Sequence, residues 1–575
     1  MQGHSLKVAA IQFEPTQFRH QENIQQLLAL SEQAAQEGAR LIVLPEMGTT
    51  GYCWQSREEV APFVETVPGA TTERFTALAA RHDCYLVVGM PEIDAQDGLY
   101  YNTAVLIGPQ GVIGQHRKTH PYISEPKWAA NGDLGHQVFA TPIGNIALLI
   151  CMDIHFIETA RLAALGGAGI ICHISNWLAE RTPAPYWITR AWENGCALIE
   201  SNRWGLERGV QFSGGSCVMD SDGTLLAACD GGDAIVAAEI TVPDYRRAQD
   251  NPWLRRRRPA LYKALMTDTY SWNPQDFFTL YGLQPLPPGK ASRVAVGQFT
   301  PGGGIEANLA LIVQQARQAH AAGAELLVLP EKALTGSNVQ QALMLSSHHL
   351  AELQSIAITF SLHLVCGLIE TDGGRYFNSV VLVGPEGIVG SYRQIHLSAA
   401  DSQWATAGER WAHYDLPCGR VGLLIGDDLL LPESARVLAL HGCDIVACPA
   451  ALGQPLSLAH EGTSVPHSYP IPRAADAYHW LLPRVRAGEN NLWLAFANTQ
   501  DASQGSVGLS GIYGPDTFAF PRSEGFQLAE QGVTTMAIDT GGLTGGWPTH
   551  VVRRKDLVRM RQPHYYKALV AVNLD

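Results

Sequence analysis

The chain repeats itself once over the length of a whole domain, and that duplication limits its architecture more than any other feature. Lys7 to Pro15 reads KVAAIQFEP, and Arg293 to Pro301 reads RVAVGQFTP. The stretch 38–51 is answered by 323–336, both carrying Leu-Pro-Glu; Tyr101-Asn102 is answered by Phe377-Asn378, and Gly108-Pro109 by Gly384-Pro385. Near the ends, 258–265 matches 562–569. A period this long excludes a solenoid. It predicts two tandem copies of one fold, residues 1–272 and 293–575. The turn-rich linker 273–292 between them contains Pro285, Pro287, Pro288 and Gly289. Within a copy, 7–13 alternates like a strand, and 23–37 has helical spacing up to Gly38. Residues 41–44 read as a buried strand, 71–81 as a second helix, and 85–89 and 101–107 as further strands. Strand, helix, strand, helix and then a run of strands gives an α/β chain with substantial sheet.

The stretch with the most chemistry is 146–156, IALLICMDIHF. An Ile- and Leu-rich strand stops at Cys151, and a helical pattern opens after it with Glu158 and Arg161. A thiol at such a junction faces unpaired backbone N–H groups, which predicts an exposed sulfur with a lowered pKa. A lone cysteine there is more often core filler, so its company decides. Glu46 ends the strand 41–44, Lys118 follows His116-Arg117, and Glu125 comes seven residues after Lys118. The second copy keeps Glu46 as Glu331 but has Gln394 for Lys118, Asp401 for Glu125 and Gly426 for Cys151. Arg190, Glu193 and Asn194 return as Arg486, Glu489 and Asn490 and read as scaffold. The second copy is therefore expected to be chemically silent, having lost a nucleophile and a cation.

Leu44-Pro45-Glu46, His116-Arg117-Lys118, Glu125, Ile150-Cys151-Met152-Asp153 and Asn176-Trp177, in that order, resemble the nitrilase superfamily of carbon–nitrogen hydrolases. The resemblance covers nearly all of 5–270 and, in degenerate form, about 293–572. It implies two tandem α-β-β-α sandwich domains packed as an intramolecular pseudo-dimer. It also implies Cys151 as nucleophile and Glu46 as general base and later acid. Lys118, with the backbone N–H of Met152, would hold the oxyanion. Glu125 would position the substrate or attacking group, or share in proton transfer. Met152, Asn176 and Trp177 are the expected substrate contacts, and no metal or organic cofactor is required. Met-Asp after the cysteine is similar to the amidase and carbamoyl hydrolase branches, whereas true nitrilases usually show Trp-Glu. A small amide or carbamoyl compound is thus expected to be cleaved through a thioester. A nitrile substrate and a non-catalytic binding protein are the alternatives.

Arg203 is a candidate for binding a substrate carboxylate, against the alternative of a salt bridge with Glu200 or Glu207. Trp54, Trp128, Trp177, Trp187 and Trp204 are candidates for an aromatic pocket or for plain core. His116 and His120 lack a nearby carboxylate motif, which argues against a metal site. Cys172, Cys196 and Cys217 read as core. The formal charge of -14 argues against nucleic acid as a partner. The basic run Arg255–Arg258 precedes Pro259 in a domain tail and does not change that. No signal pattern and no membrane-length apolar run are present, and eleven scattered cysteines suit a reducing cytoplasm. The partners expected are a small-molecule substrate and, beyond the internal pair, further copies of the chain. The segment 454–483 has no counterpart of that length in the first copy; it reads as a lid or as a surface loop.

Overall fold

The computed structural model describes residues 3–178, 182–245, 250–269, 273–453, 462–466, 481–501, 505–516, 525–526, 530–543 and 548–572. Each half builds two six-stranded sheets. In the first half, one sheet runs in the order Ala234–Pro243, Gly3–Gln12, Leu41–Val43, Tyr85–Ile93, Tyr100–Gly108, Gly111–Arg117. Its three central strands are parallel and the rest antiparallel. The other sheet runs Leu225–Ala228, Cys217–Met219, Ala197–Asn202, Ile170–Ser175, Gly144–Ile150, Val138–Thr141.

The strand pattern explains the layering. Val8 and Ala10 alternate with Ala9 and Ile11, so both faces of that strand are apolar. Val8, Ala10, Leu41, Val43 and Val87 meet Ile146, Leu148 and Ile150 of the second sheet. Ala9, Ile11, Ile42 and Leu86 take the helices His20–Gln36 and Ala70–His82, through Ile24, Leu27, Phe75 and Leu78. On the far side, every residue of the helices Ile157–Leu165 and Pro185–Asn194 is buried. A helix with no exposed face has protein on all sides, and here the second half supplies the outer one. The second half repeats both sheets: Ala291–Gln298 pairs with Leu326–Val328 and Gly532–Asp539, and Ile445–Ala450 with Trp493–Asn498. The fold is thus two α-β-β-α sandwiches packed helix face to helix face.

The join has the reciprocity of a two-fold dimer, in which residue i of one copy meets j of the other and j meets i. Arg190 bonds Glu489 at 2.5 Å, and Arg486 bonds Glu193 at 2.6 Å, all four fully buried. Arg161 pairs with Glu433 at 3.0 Å, and Arg436 with Glu158 at 3.1 Å. The tails cross likewise, Arg257 to Glu433 at 2.6 Å and Arg561 to Glu158 at 3.5 Å. Burial works against a charged Glu433, but Arg161 and Arg257 hold its carboxyl down to about 2. Arg190, Glu193 and their repeats, read from sequence as scaffold, are therefore the buried centre of this interface. The basic run has the same destination. Arg256 pairs with Asp427, Arg257 with Glu433, and Arg258 donates to the carbonyls of Ile395 and Gly408.

Candidate active site

The turn carrying Glu46 lies flat against the strand Tyr85–Ile93 because Gly89 has no side chain. A Cβ there would sit 2.4 Å from the Pro45 carbonyl and 2.8 Å from Glu46 Cα, and Gly367 makes the same approach in the second half. This seats a fully buried carboxylate between the sheets. Glu46 Oε1 accepts from Asn102 Nδ2 at 2.7 Å and Lys118 Nζ at 2.8 Å, and Oε2 accepts from Asn176 Nδ2 at 2.9 Å. Burial raises the Glu46 pKa; Lys118 pulls it back and the nearby charge of Glu125 adds to the rise.

Lys118 leaves the end of the strand Gly111–Arg117 and places its ammonium between two carboxylates, Glu46 and Glu125, the latter at 2.5 Å. Burial disfavours its charge, but Glu125 and Glu46 outweigh that and lift its pKa well above the lysine range. Glu125 takes four donors: Asn102 Nδ2 at 2.7 Å, Lys118 Nζ, Tyr52 Oη at 2.8 Å and the Tyr122 N–H at 2.9 Å. The sequence-predicted trio of Glu46, Lys118 and Glu125 is thus brought together, with Asn102 joining the carboxylates. Asn102 was not singled out from sequence, although its retention as Asn378 was a signal that could have found it.

Cys151 follows the strand Gly144–Ile150 and opens the 3-10 turn Cys151–His155 with φ of 46°, a left-handed conformation. Such backbone at a non-glycine residue costs about 1–3 kcal/mol and persists only where its surroundings enforce it. Two buried devices do so. Asp153 accepts from the Ile150 N–H at 3.2 Å, the His120 N–H at 3.0 Å and Thr119 Oγ1 at 2.8 Å, and meets the His116 and His120 rings at 2.9 and 3.0 Å. A carboxylate therefore does stand beside these histidines, and it is engaged under the elbow. From the other side, His173 Nε2 lies 3.0 Å from the Cys151 carbonyl while Nδ1 meets Glu200. Ser175 also donates to Glu200, at 2.5 Å. With a proton between His173 and Glu200, the Nε2–H donates to the nucleophile's own carbonyl. Strand pairing sets Cys448 and Phe496 at these two positions of the second half, which has Gly426 where the first has Cys151. His173→Phe should lower kcat about 100-fold, the cost of a small misplacement, with little change in KM. His173→Gln, which retains an N–H donor, should lose less; steady-state kinetics on purified variants would check both.

The lowered thiol pKa expected from the strand–helix junction is overturned. Cys151 is only 6% exposed, and burial is the chief reason its pKa lies well above the usual thiol value; Glu46 adds to the rise, while Lys118 opposes it. A resting thiolate would stand beside two carboxylates and a single ammonium. The sulfur therefore rests as a thiol and needs a base.

Tyr122, Cys151, Met152, His155, Asn176, Trp177 and Leu178 line a cavity of about 20 Å³. Met152, Asn176 and Trp177 thus reach the predicted place. Among the described residues Asn176 Oδ1 and Trp177 Nε1 have no hydrogen-bond partner. Trp177 stacks on His155 at 4.7 Å. Trp54, Trp128, Trp187 and Trp204 are absent from that lining; the first three are buried, and Trp54 Nε1 donates to the Gly51 carbonyl at 2.9 Å. Arg203 is not in the lining either. It pairs with Glu207 at 2.5 Å and covers the Phe212 ring at 4.3 Å. Glu207 in turn accepts from the Tyr52 N–H at 2.9 Å and from that of Cys53, so Arg203 braces a wall and its substrate-carboxylate role is withdrawn. A larger hollow of about 530 Å³ opens in the second half around Glu370, Arg393 and Trp411, away from the carboxylates of either site.

The corresponding place in the second half differs in an unforeseen way. Gln394 does vacate the ammonium position and donates to the Ile425 carbonyl at 3.1 Å. A cation returns from another backbone position: Lys332 Nζ lies 3.0 Å from Glu331 and 2.7 Å from Asp401. The inference that this copy lacks a cation is corrected, since only the lysine at the aligned position is missing. At Gly426, φ is 42°, and a Cβ would meet Glu331 Oε2 at 2.5 Å. The carboxylate fills the room that a side chain there would need.

The carbon-nitrogen hydrolase family model matches residues 7–250 and again 293–542. A Pyrococcus abyssi protein named nitrilase is 35% identical over 237 residues, 41% of this chain and 89% of the relative. A Bacillus cereus formamidase is 34% identical over 205 residues, which span 34% of this chain and 60% of the formamidase. Among solved structures, the carbon-nitrogen hydrolase from Helicobacter pylori G27 shows 27% identity and a TM-score of 0.40, covering 46% of this chain and 98% of that one. No helix among the described residues is long and apolar enough to cross a membrane. Because the family model accounts for most of both halves, the chain belongs to the carbon-nitrogen hydrolases and holds the family's domain twice in tandem.

Proposed function

We propose that the first half hydrolyses a small amide or carbamoyl compound through a thioester on Cys151. The observation that carries this is a buried thiol on a strained elbow, facing a small cavity and under the field of Glu46, Lys118 and Glu125. Glu46, with its raised pKa, takes the thiol proton as sulfur bonds to the substrate carbonyl carbon. The carbonyl oxygen becomes an oxyanion. Lys118 has three N–H donors and gives two to carboxylates, leaving one for that oxygen. Glu46 returns the proton to nitrogen, the C–N bond breaks, and ammonia or an amine departs. Water then gives a proton to Glu46 and attacks the thioester, and the thiol leaves protonated. Glu125, with four donors on its carboxylate, orients Lys118. The cavity favours a compact acyl group, and Met152-Asp153 after the cysteine favours an amide over a nitrile.

The second half, with Gly426 in place of a nucleophile, forms no thioester under this reading. Panels of amides, N-carbamoyl compounds and nitriles, followed by ammonia release and intact mass, test the assignment. A nitrile as best substrate, or turnover with no acyl adduct on Cys151, would overturn it. The pH profile is a separate check. Because Glu46 must be ionised to accept the proton and its pKa is raised, kcat/KM should fall on acidification with a midpoint above 4.5, the ordinary glutamate value. A midpoint below that would exclude Glu46 as the base.

A further inference from the structure

The connection that follows Asn176-Trp177 is unequal in the two halves. In the first it runs from Ser175 to the helix starting at Pro185; in the second it runs from Ala450 to the helix starting at Leu481. The longer connection holds the segment read from sequence as a lid or a loop; residues 454–461 and 467–480 of it lie outside the described ones. The described piece, 462–466, is seated on the first half. The Thr463 N–H donates to the Thr182 carbonyl at 3.1 Å, and Thr463 Oγ1 donates to the Ser213 carbonyl at 3.0 Å. Ser464 gives its N–H and its hydroxyl to the Asp230 carboxylate at 2.9 and 2.7 Å. The fit is close. A Cβ on Gly215 would stand 2.9 Å from Thr463 Cγ2, and one on Gly231 would stand 2.9 Å from Val465 Cγ2. Thr463 is buried although it belongs to the other half.

The groups it grips lead to the cavity. Thr182 Oγ1 donates to the Gly214 carbonyl at 2.6 Å. The Ser213 N–H and hydroxyl both donate to the Trp177 carbonyl at 2.9 Å. Asn202 accepts from the Trp177 N–H at 2.8 Å and donates to Ser213 Oγ at 3.1 Å. Trp177 lines the cavity next to Asn176, whose amide binds Glu46. Strand pairing gives the second half Ala451 and Leu452 at these two positions, so it has neither the amide nor the indole there.

We propose that Thr463 and Ser464 of the second half are positioning residues for the Cys151 site: their segment fixes the wall formed by Asn176 and Trp177 and thereby sets which acyl groups enter. The substrate part of this inference rests on the proposed hydrolase reading; the contact does not. Full-length Thr463→Val, Thr463→Ser, Ser464→Ala and Asp230→Asn would be compared with the parent. KM would be measured for formamide and butyramide, and the rate of Cys151 alkylation by iodoacetamide would be read by intact mass. Thr463→Val, Ser464→Ala and Asp230→Asn should each raise KM for the better amide about tenfold, within the span of a pocket contact. They should also shrink the discrimination between the two amides, with kcat changed less than about twofold, and speed alkylation. Thr463→Ser, which keeps the hydroxyl, should behave as the parent. Unchanged KM and alkylation in all variants of an active parent would overturn the proposal. So would a loss in Thr463→Ser with parent-like behaviour in Thr463→Val, which keeps the side chain's shape; that pattern would mark plain packing. If the parent cleaves nothing in the panels of amides, N-carbamoyl compounds and nitriles but the alkylation rates separate as expected, the hydrolase reading fails and the positioning role stands.

Discussion

Cys151→Ala in the full chain is expected to lower kcat/KM by about 10⁴-fold or more, the scale seen when a nucleophile is removed from a unit that acts together. The duplication makes this more informative than a usual nucleophile deletion. If the second half had any thioester chemistry of its own, the variant would keep a substantial fraction of activity. The geometry argues otherwise, because Glu331 Oε2 stands where a side chain on residue 426 would begin. For the same reason Gly426→Cys should not create a second site. It would have to displace a carboxylate held by Asn378 at 2.9 Å and Lys332 at 3.0 Å. Ammonia release, with intact mass to catch an acyl adduct, measures both variants. Glu46→Gln should resemble Cys151→Ala in rate, because the thiol rests protonated and has lost its base.

The second large effect is expected far from the cavity. Glu489→Gln removes one carboxylate from a buried group of two arginines and two glutamates, leaving Arg190 and Arg486 to share Glu193. Breaking one member of a buried pair leaves charge without compensation and typically costs about 3–5 kcal/mol. The loss falls on the packing between halves, so the calorimetric Tm should drop and the first half should lose activity on mild heating. Replacing all four residues with apolar ones of similar size should recover most of the stability, since the pairs repay little beyond their own desolvation. A chain of this size need not unfold in one step, so the comparison is made in Tm and in residual activity. An unchanged Tm in Glu489→Gln would mean that this group of four contributes nothing net to holding the halves together.

Three of the four groups proposed to do the chemistry were legible in the chain because each follows a strand with a strong local pattern. Glu46 follows Leu41–Val43, Lys118 follows Gly111–Arg117, and Cys151 follows Gly144–Ile150. Glu125, on the short turn Glu125–Lys127, was legible only through the family resemblance. The repeat added a control that a single domain lacks: Cys151 against Gly426, and Asn102 against Asn378. The helices His20–Gln36 and Ala70–His82 were legible for the same reason, since a spacing of three and four residues is written within one segment.

What the chain by itself determined, then, is the duplication, the order of the elements and the identity of the groups at strand ends. Tertiary structure alone decided their state and their partners. The junction favours a thiolate, yet burial between two sheets keeps Cys151 a thiol. Gln394 announced a lost cation, yet Lys332 brings one back from a different strand end. Arg190 and Glu193 carry no sign in sequence of their partners almost three hundred residues away. Nor does Thr463 announce that it touches the wall of the other half's cavity. The reason is common to all of these: periodicity and turn chemistry act between neighbours in the chain, whereas desolvation and charge pairing depend on what packs alongside from distant parts of it.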